Sequence, residues 1–203
     1  CGGDLHPMIE GLAQSLEAAG LEPVDAANYV ARWERTMEQI TPWLPEHVEN
    51  FLDIGCGYGG MALHMARRYP EATAHLIDAV EPSEKWGGYR EKGEPWCSVM
   101  MALGLCRTFC TSQMWGWPPH ENAPVPPCEL VYSICSWGHH YPIETYLAFV
   151  QRVLCPGGTL IVDLRVGRVG EHGEERLASI GCEQLHAAYT KGKKYTRTCW
   201  RRA

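Results

Sequence analysis

One stretch constrains the fold more than any other: Phe51-Leu-Asp-Ile-Gly-Cys-Gly-Tyr-Gly-Gly60. The apolar run over 51–54 reads as a strand. Leu63, Ala66 and their apolar neighbours over 61–69 read as a helix. Between them Gly55, Gly57, Gly59 and Gly60 make a turn whose backbone can approach a ligand, because no side chain holds it off. The helix that follows presents unpaired N–H groups to that turn. Strand, glycine turn and helix in this order form a cradle of the kind that holds nucleotides, and the strand needs a sheet to join.

The rest of the chain supplies that sheet. Apolar runs predict further strands at 73–77, 107–111, 129–135 and 159–164, with helical patterns at 96–105, 141–154 and 173–180. The last two runs, 183–190 and 194–200, flank Lys191-Gly-Lys193 and read as a terminal hairpin. Residues 81–95 read as a loop, and 115–127, with Pro118, Pro119, Pro124, Pro126 and Pro127, as irregular. Strands alternating with helices predict an α/β fold: a Rossmann-like, doubly wound, mostly parallel sheet closed by an antiparallel hairpin. Ligands in such sheets bind at the carboxyl ends of the strands, where strand order reverses.

Helices precede the first strand. Leu12, Leu16 and Ala19 share one helical face; after Pro23, residues Tyr29, Trp33, Met37 and Ile40 recur at helical spacing until Pro42 and Pro45. This divides the chain into a helical lid segment, 1–48, and a core domain, 49–203. The aromatic stripe of the second helix either packs on the sheet or covers a ligand.

Composition narrows the partners. Eighteen Lys and Arg against 24 Asp and Glu give a net charge of −6, which argues against a large nucleic-acid footprint. Lys191, Lys193, Lys194, Arg197, Arg201 and Arg202 read as a solvated hairpin and basic tail. The ten cysteines include no Cys-x-x-Cys pair, and Cys106 and Cys110 have no second ligand pair beside them. They point to neither a disulfide framework nor a zinc site, but to reduced thiols in a cytoplasmic protein. No apolar run approaches the roughly 20 residues that cross a bilayer.

Gly55-x-Gly57-x-x-Gly60 formally matches the dinucleotide fingerprint. Three features pull away from it: the acidic Asp53 inside the strand, the long helical segment ahead of the motif, and the closing hairpin. Four pieces in order resemble the class I S-adenosylmethionine-dependent methyltransferases over roughly residues 51–202. These are Leu52-Asp-Ile-Gly-Cys-Gly-Tyr-Gly59, Leu76-Ile-Asp78, Glu129-Leu-Val-Tyr-Ser-Ile-Cys-Ser-Trp-Gly-His-His140 and Arg152-Val-Leu-Cys-Pro-Gly-Gly-Thr-Leu-Ile-Val162. Residues 136–146 are most similar to a subgroup that includes sugar methyltransferases. The resemblance implies S-adenosylmethionine as methyl donor, held by Asp53, Gly55, Cys56, Gly57, Gly59, Asp78 and Ala79 and by Cys135 after strand 4. It departs after strand 3, where the acidic residue expected near the adenine is replaced by Cys110-Thr-Ser-Gln113. Thr111, Ser112 and Gln113 are the alternatives that offer hydrogen bonds there. Trp86-Gly-Gly-Tyr-Arg90 supplies an aromatic that either covers the donor or packs in its loop.

The residue chemistry agrees with that resemblance. Asp78 follows the glycine turn by about 20 residues, where a carboxylate can accept both ribose hydroxyls. Asp53 either orients the turn or reaches the methionine ammonium, directly or through water. Methyl transfer needs alignment and exclusion of water, and a hydroxyl acceptor needs a base. His139, His140 and Asp163 stand at the expected ends of strands 4 and 5; an imidazole there has a suitable pKa, and Asp163 can pair with a histidine or a metal. The expected acceptor is a small molecule methylated on oxygen, with Trp115, Trp117 and Trp137 available to stack on it or to pack in the core. The rival readings are a protein or RNA methyltransferase and a cofactor-binding module without transfer activity.

Overall fold

The computed structural model describes residues 24–78, 99–119, 122–167, 172–189, 192 and 194–203. The first expected helix (Leu12, Leu16, Ala19), the Tyr29 side chain, Ala79, the 81–95 loop with its 86–90 segment, and Lys191 and Lys193 lie outside the described residues.

Helix α1, Val24–Ile40, ends where Pro42 enters a 3-10 turn, Thr41–Trp43. The core follows as β1 (Asn50–Ile54), α2 (Gly60–Arg68), β2 (Thr73–Ile77), α3 (Val99–Phe109), β3 (Met114–Trp117) and β4 (Cys128–Ser133). It continues through α4 (Glu144–Val153), β5 (Leu154–Arg165), α5 (Gly173–Ser179), β6 (Cys182–Tyr189) and β7 (Tyr195–Arg202). The seven strands make one sheet in the order β3-β2-β1-β4-β5-β7-β6. Strands β1 to β5 pair in parallel, and β7 lies antiparallel between β5 and β6. The order reverses between β1 and β4, so the crevice for a ligand opens beyond the carboxyl end of β1.

Alternation along the strands splits the core between two faces. Phe51, Leu130, Tyr132 and Ile161 meet Trp33 of α1, Met61 and Met65 of α2, and Val99 and Leu103 of α3. Leu52, Ile54, Val131 and Leu160 meet Tyr146 and Phe149 of α4 and Leu177 of α5. Burying a large apolar side chain stabilises by about 1.5–3 kcal/mol. The α1 stripe, with Trp33 and Ile40 buried, therefore contributes to the core on the first of these faces.

Strand 3 differs from expectation. Residues 107–109 complete α3, and the strand lies at Met114–Trp117, running into the segment expected to be irregular. The helical spacing of the buried Val99, Ala102, Leu103 and Cys106 carries the helix past Leu105, and Thr108 returns its hydroxyl to the Gly104 carbonyl at 2.9 Å. Gly116 lets α3 lie directly on β3: a Cβ there would stand 2.6 Å from Leu103 Cδ1. The strand expected at 159–164 begins earlier, and Pro156, Gly157 and Gly158 lie within β5 as an irregularity in its pairing with β4. The basic tail is also not simply solvated. Arg197 is buried, and Arg202 donates to the carbonyls of Gln151 and Leu154.

Candidate functional site

The glycine turn hangs from the end of β2. The Gly55 and Cys56 amides donate to the Ile77 carbonyl at 2.7 and 3.1 Å. Gly55 has φ +78, and its missing side chain is filled from across the crevice: a Cβ would stand 1.9 Å from Ser136 Oγ. Gly59, also at φ +78, caps α2, and there a Cβ would stand 2.9 Å from Cys106 Sγ. Both positions require glycine for conformation and for space. The Gly57 amide donates to Asp78 Oδ2 at 2.7 Å, so the carboxylate after β2 braces the turn.

Asp53 lies beneath that turn, on the face shared with Phe51 and Tyr132, and is only 2% exposed. Its Oδ2 has no hydrogen-bond partner among the described residues, and neither has the hydroxyl of Tyr132, its register partner on β4. Burial, and then the Asp78 charge, push the Asp53 carboxyl well above the usual range, with the Tyr132 hydroxyl pulling the other way.

The segment after β4 is the opposite wall. Cys135 takes a left-handed conformation, φ 56, which is strained for a side chain of this kind. Asp163 holds it there, with Oδ2 accepting the Cys135 amide at 3.1 Å and facing the thiol at 3.3 Å. Burial, and then the Asp163 charge, raise the thiol pKa to about 11, so it stays protonated at neutral pH. Asp163 is fully buried and bound by Arg197. Its partners are thus an arginine and a backbone turn, where the sequence suggested a histidine or a metal.

His139 and His140 follow on the same segment, their amides donating to the Ser136 carbonyl at 3.0 and 2.7 Å. Both are half-buried, and their rings meet edge to face at 4.5 Å. The His139 ring also stands edge-on to Tyr195, at 5.3 Å. Its Nδ1 is buried with no hydrogen-bond partner among the described residues. Burial lowers the His139 pKa, as do Arg165 and Arg32, against the attraction of Asp163. The imidazole is therefore neutral at pH 7, the form a base requires.

Three expected site residues fall elsewhere. Ser112 and Gln113 precede β3, at the amino edge of the sheet, away from the crevice. The Ser112 hydroxyl donates to the Pro70 carbonyl at 3.0 Å, and the Gln113 carbonyl accepts the Ala74 amide at 2.8 Å. The misplaced strand 3 caused that reading. Trp137 is core, fully buried, with Nε1 on the Ile143 carbonyl at 2.7 Å. Trp117 does reach the carboxyl edge, where its carbonyl faces the Asp78 amide, and it stacks with Trp115 at 6.3 Å. The sequence reading missed Tyr132, Ser136, Tyr195 and Arg197. Of these Arg197 carried a signal, as a cation in an alternating strand otherwise facing the core. Among the described residues no cluster of His, Cys, Asp and Glu is arranged to hold a metal, and all their cysteines are free thiols.

No protein-family model and no curated protein sequence matches the chain. Solved structures do. A TehB-like SAM-dependent methyltransferase of Corynebacterium glutamicum is 16% identical over 90% of this chain and 100% of its own, with a TM-score of 0.57. Magnesium protoporphyrin IX methyltransferase of Synechocystis, solved with bound SAM, is 14% identical over 88% of this chain and 81% of its own, with a TM-score of 0.60. The (4+2)-cyclase SpnF is 16% identical over 85% of this chain and 80% of its own, also at 0.60. At these identities the likeness is one of fold, and the fold is that of the class I methyltransferases.

Proposed function

We propose that this chain is an S-adenosylmethionine-dependent methyltransferase acting on a small molecule, with oxygen as the methylated atom. One observation carries the reading: Asp78, just past the carboxyl end of β2 and beside the crevice that opens beyond β1, has one carboxylate oxygen on the Gly57 amide. A carboxylate fixed there beside a glycine turn suits a nucleoside ribose, whose hydroxyls donate to it. The donor set fits the cofactor on a second count. A buried carboxyl oxygen beneath the turn, Asp53 Oδ2, lacks a hydrogen-bond donor among the described residues. The fold neighbour crystallised with SAM supports the same ligand.

In this reading Asp78 receives the ribose, the glycine turn lies along the methionine portion, and the segment after β4 closes the far side. The bound donor supplies an activated methyl group, so the protein's task is alignment and exclusion of water. His139, neutral and half-buried, takes the proton from an acceptor hydroxyl, with His140 against its ring. Asp163 acts through Cys135 as a positioning residue. The fold alone does not guarantee transfer: SpnF, with the same fold, is a cyclase. Calorimetry with S-adenosylmethionine and S-adenosylhomocysteine tests the donor site, with Asp78→Ala expected to weaken binding about 10–100-fold. Absence of binding by the unaltered protein overturns the proposal. Labelled donor incubated with an extract then distinguishes transfer from binding alone, and label appearing in protein or RNA overturns the small-molecule acceptor.

A further inference from the structure

His139, the proposed base, is walled by two rings. His140 meets it at 4.5 Å from the same turn, and Tyr195 meets it edge to face at 5.3 Å from β7. The second ring belongs to a larger arrangement. Tyr195 and Arg197 are two apart on β7, so their side chains leave the same face of the strand. Register sets Arg197 opposite Asp163 of β5, on the face that α1 covers. The Arg197 guanidinium lies over the Tyr195 ring, 5.7 Å from its centroid.

Pairing with a carboxylate occupies two of the guanidinium's donors, here Nε and Nη2. Arg197 has a third commitment: Nη1 donates to Gln39 Oε1 of α1 at 2.8 Å. Bonds in two directions fix the plane of the group, because its donors stand in a rigid fork. A fixed plane gives the Tyr195 ring a fixed surface to lie against, and the ring bounds one side of the imidazole. Cations favour an aromatic face, and aromatic pairs favour the edge-to-face arrangement. The charge of Asp163 requires only a cation beside it. The planar fork, the bond to α1 and the ring on its face serve something further.

We propose that Gln39, Arg197 and Tyr195 are positioning residues for the His139 imidazole. Gln39 and Asp163 hold the guanidinium, the guanidinium holds the Tyr195 ring, and the ring holds the imidazole at the angle from which it takes the acceptor's proton. The three act through His139 and not on the acceptor. Helix α1 thereby serves the site as well as packing on the sheet.

The inference rests on the function proposed above, in which His139 is the base, but its first test needs neither donor nor acceptor. The His139 ring is titrated by NMR in the full chain, its carbon-bound proton identified by its loss in His139→Gln. Burial is the largest influence on this imidazole and holds its pKa below the ordinary value. Its charged neighbours, Asp163 and Arg165 of β5 and Arg32 of α1, are left in place in every variant, as is His140. Tyr195→Ala removes the wall and admits water, and is expected to raise the His139 pKa toward about 6.5. Tyr195→Phe keeps the ring and is expected to restore the unaltered titration. Gln39→Met keeps the Asp163–Arg197 pair but releases the plane, and is expected to raise the pKa in the same direction by less. An unchanged titration in folded Tyr195→Ala or in folded Gln39→Met overturns the proposal, and leaves the Asp163–Arg197 pair a source of stability alone.

Transfer gives the second readout, with labelled S-adenosylmethionine and a cell extract as the source of acceptor. Tyr195→Ala is expected to lower transfer about 10–100-fold, with Tyr195→Phe recovering most of it. S-adenosylhomocysteine affinity in Tyr195→Ala, measured by calorimetry, is expected to stay within about twofold. Transfer that survives in Tyr195→Ala overturns the positioning role. Absence of S-adenosylhomocysteine binding by the unaltered chain overturns the donor reading instead, and the titration distinguishes the two failures.

Discussion

Arg197 grips Asp163 side-on, Nε to Oδ1 at 2.7 Å and Nη2 to Oδ2 at 2.9 Å, with the two side chains 3% and 0% exposed. The bidentate geometry is the strong form of the interaction. The same Oδ2 takes the Cys135 amide, so one carboxylate joins β7, β5 and the turn after β4. Removing one partner leaves a buried charge alone, which costs about 3–5 kcal/mol. Arg197→Leu is therefore expected to lower the urea midpoint by that equivalent. Replacing both, Asp163→Leu with Arg197→Met, is expected to recover most of the stability but not donor binding, since Cys135 has lost its anchor. Equal loss in the single and double replacements would show that the pair contributes nothing as a pair.

The second prediction concerns the contact between Gly55 and Ser136. Gly55→Ala adds a methyl group 1.9 Å from Ser136 Oγ at a φ of +78, and is expected to abolish donor binding measured by calorimetry. The steric share of that loss is separable. Combining it with Ser136→Gly removes both clashing atoms, Oγ and Cβ, and leaves the next nearest atom, the Ser136 Cα, at 3.8 Å. The double variant is expected to regain part of the affinity, the remainder reflecting backbone strain of about 1–2 kcal/mol. No recovery would mean that Ser136 does not form this wall.

How far the sequence revealed this site depends on the range of each interaction. The glycine turn, β1, β2 and Asp78 were legible because local pattern determines them: apolar runs, glycines and a carboxylate at a strand end. The sheet with its closing hairpin followed from alternation. Strand 3 was not legible, because Thr108 and Phe109 favour strands in isolation while the helical spacing from Val99 to Cys106 prevails in the fold. Ser112 and Gln113 went astray with it. The Asp163–Arg197 pair joins residues 34 apart, on antiparallel strands whose register arises from the hairpin. No local pattern states it.

Acid sensitivity has an identifiable source in β2. His75 is buried, accepts a long hydrogen bond from Trp117 Nε1 at 3.4 Å, and is held by burial at a pKa of about 4. The unfolded chain binds a proton there near the ordinary 6.5. Between those values the unfolded state holds more protons, so this histidine's contribution to stability is complete above about pH 6.5 and is lost progressively down to about pH 4. His75→Gln is expected to flatten the fall in melting temperature over that window. An unchanged slope would assign the acid sensitivity elsewhere.

The final prediction tests the proposed base through its own titration. Burial, then Arg165 and Arg32, hold His139 below the ordinary 6.5, with Asp163 opposing them. A lowered pKa keeps the imidazole neutral at pH 7 and lets it remain so into mildly acidic solution. Transfer to a hydroxyl acceptor is then expected to be flat at neutral pH and to fall about tenfold per pH unit once below the His139 pKa, on a limb lying under pH 6.5. The measurement is kcat/KM for the acceptor against pH, with donor saturating so that any pH dependence of donor binding is suppressed. His139→Gln is expected to lower the rate about 100-fold or more and to remove the limb, while donor affinity stays within about twofold. His140→Gln is expected to lower the rate less and to keep the limb, because that ring packs against the base. If the limb survives in His139→Gln and vanishes in His140→Gln, the roles are reversed; if it survives in both, neither histidine is the base.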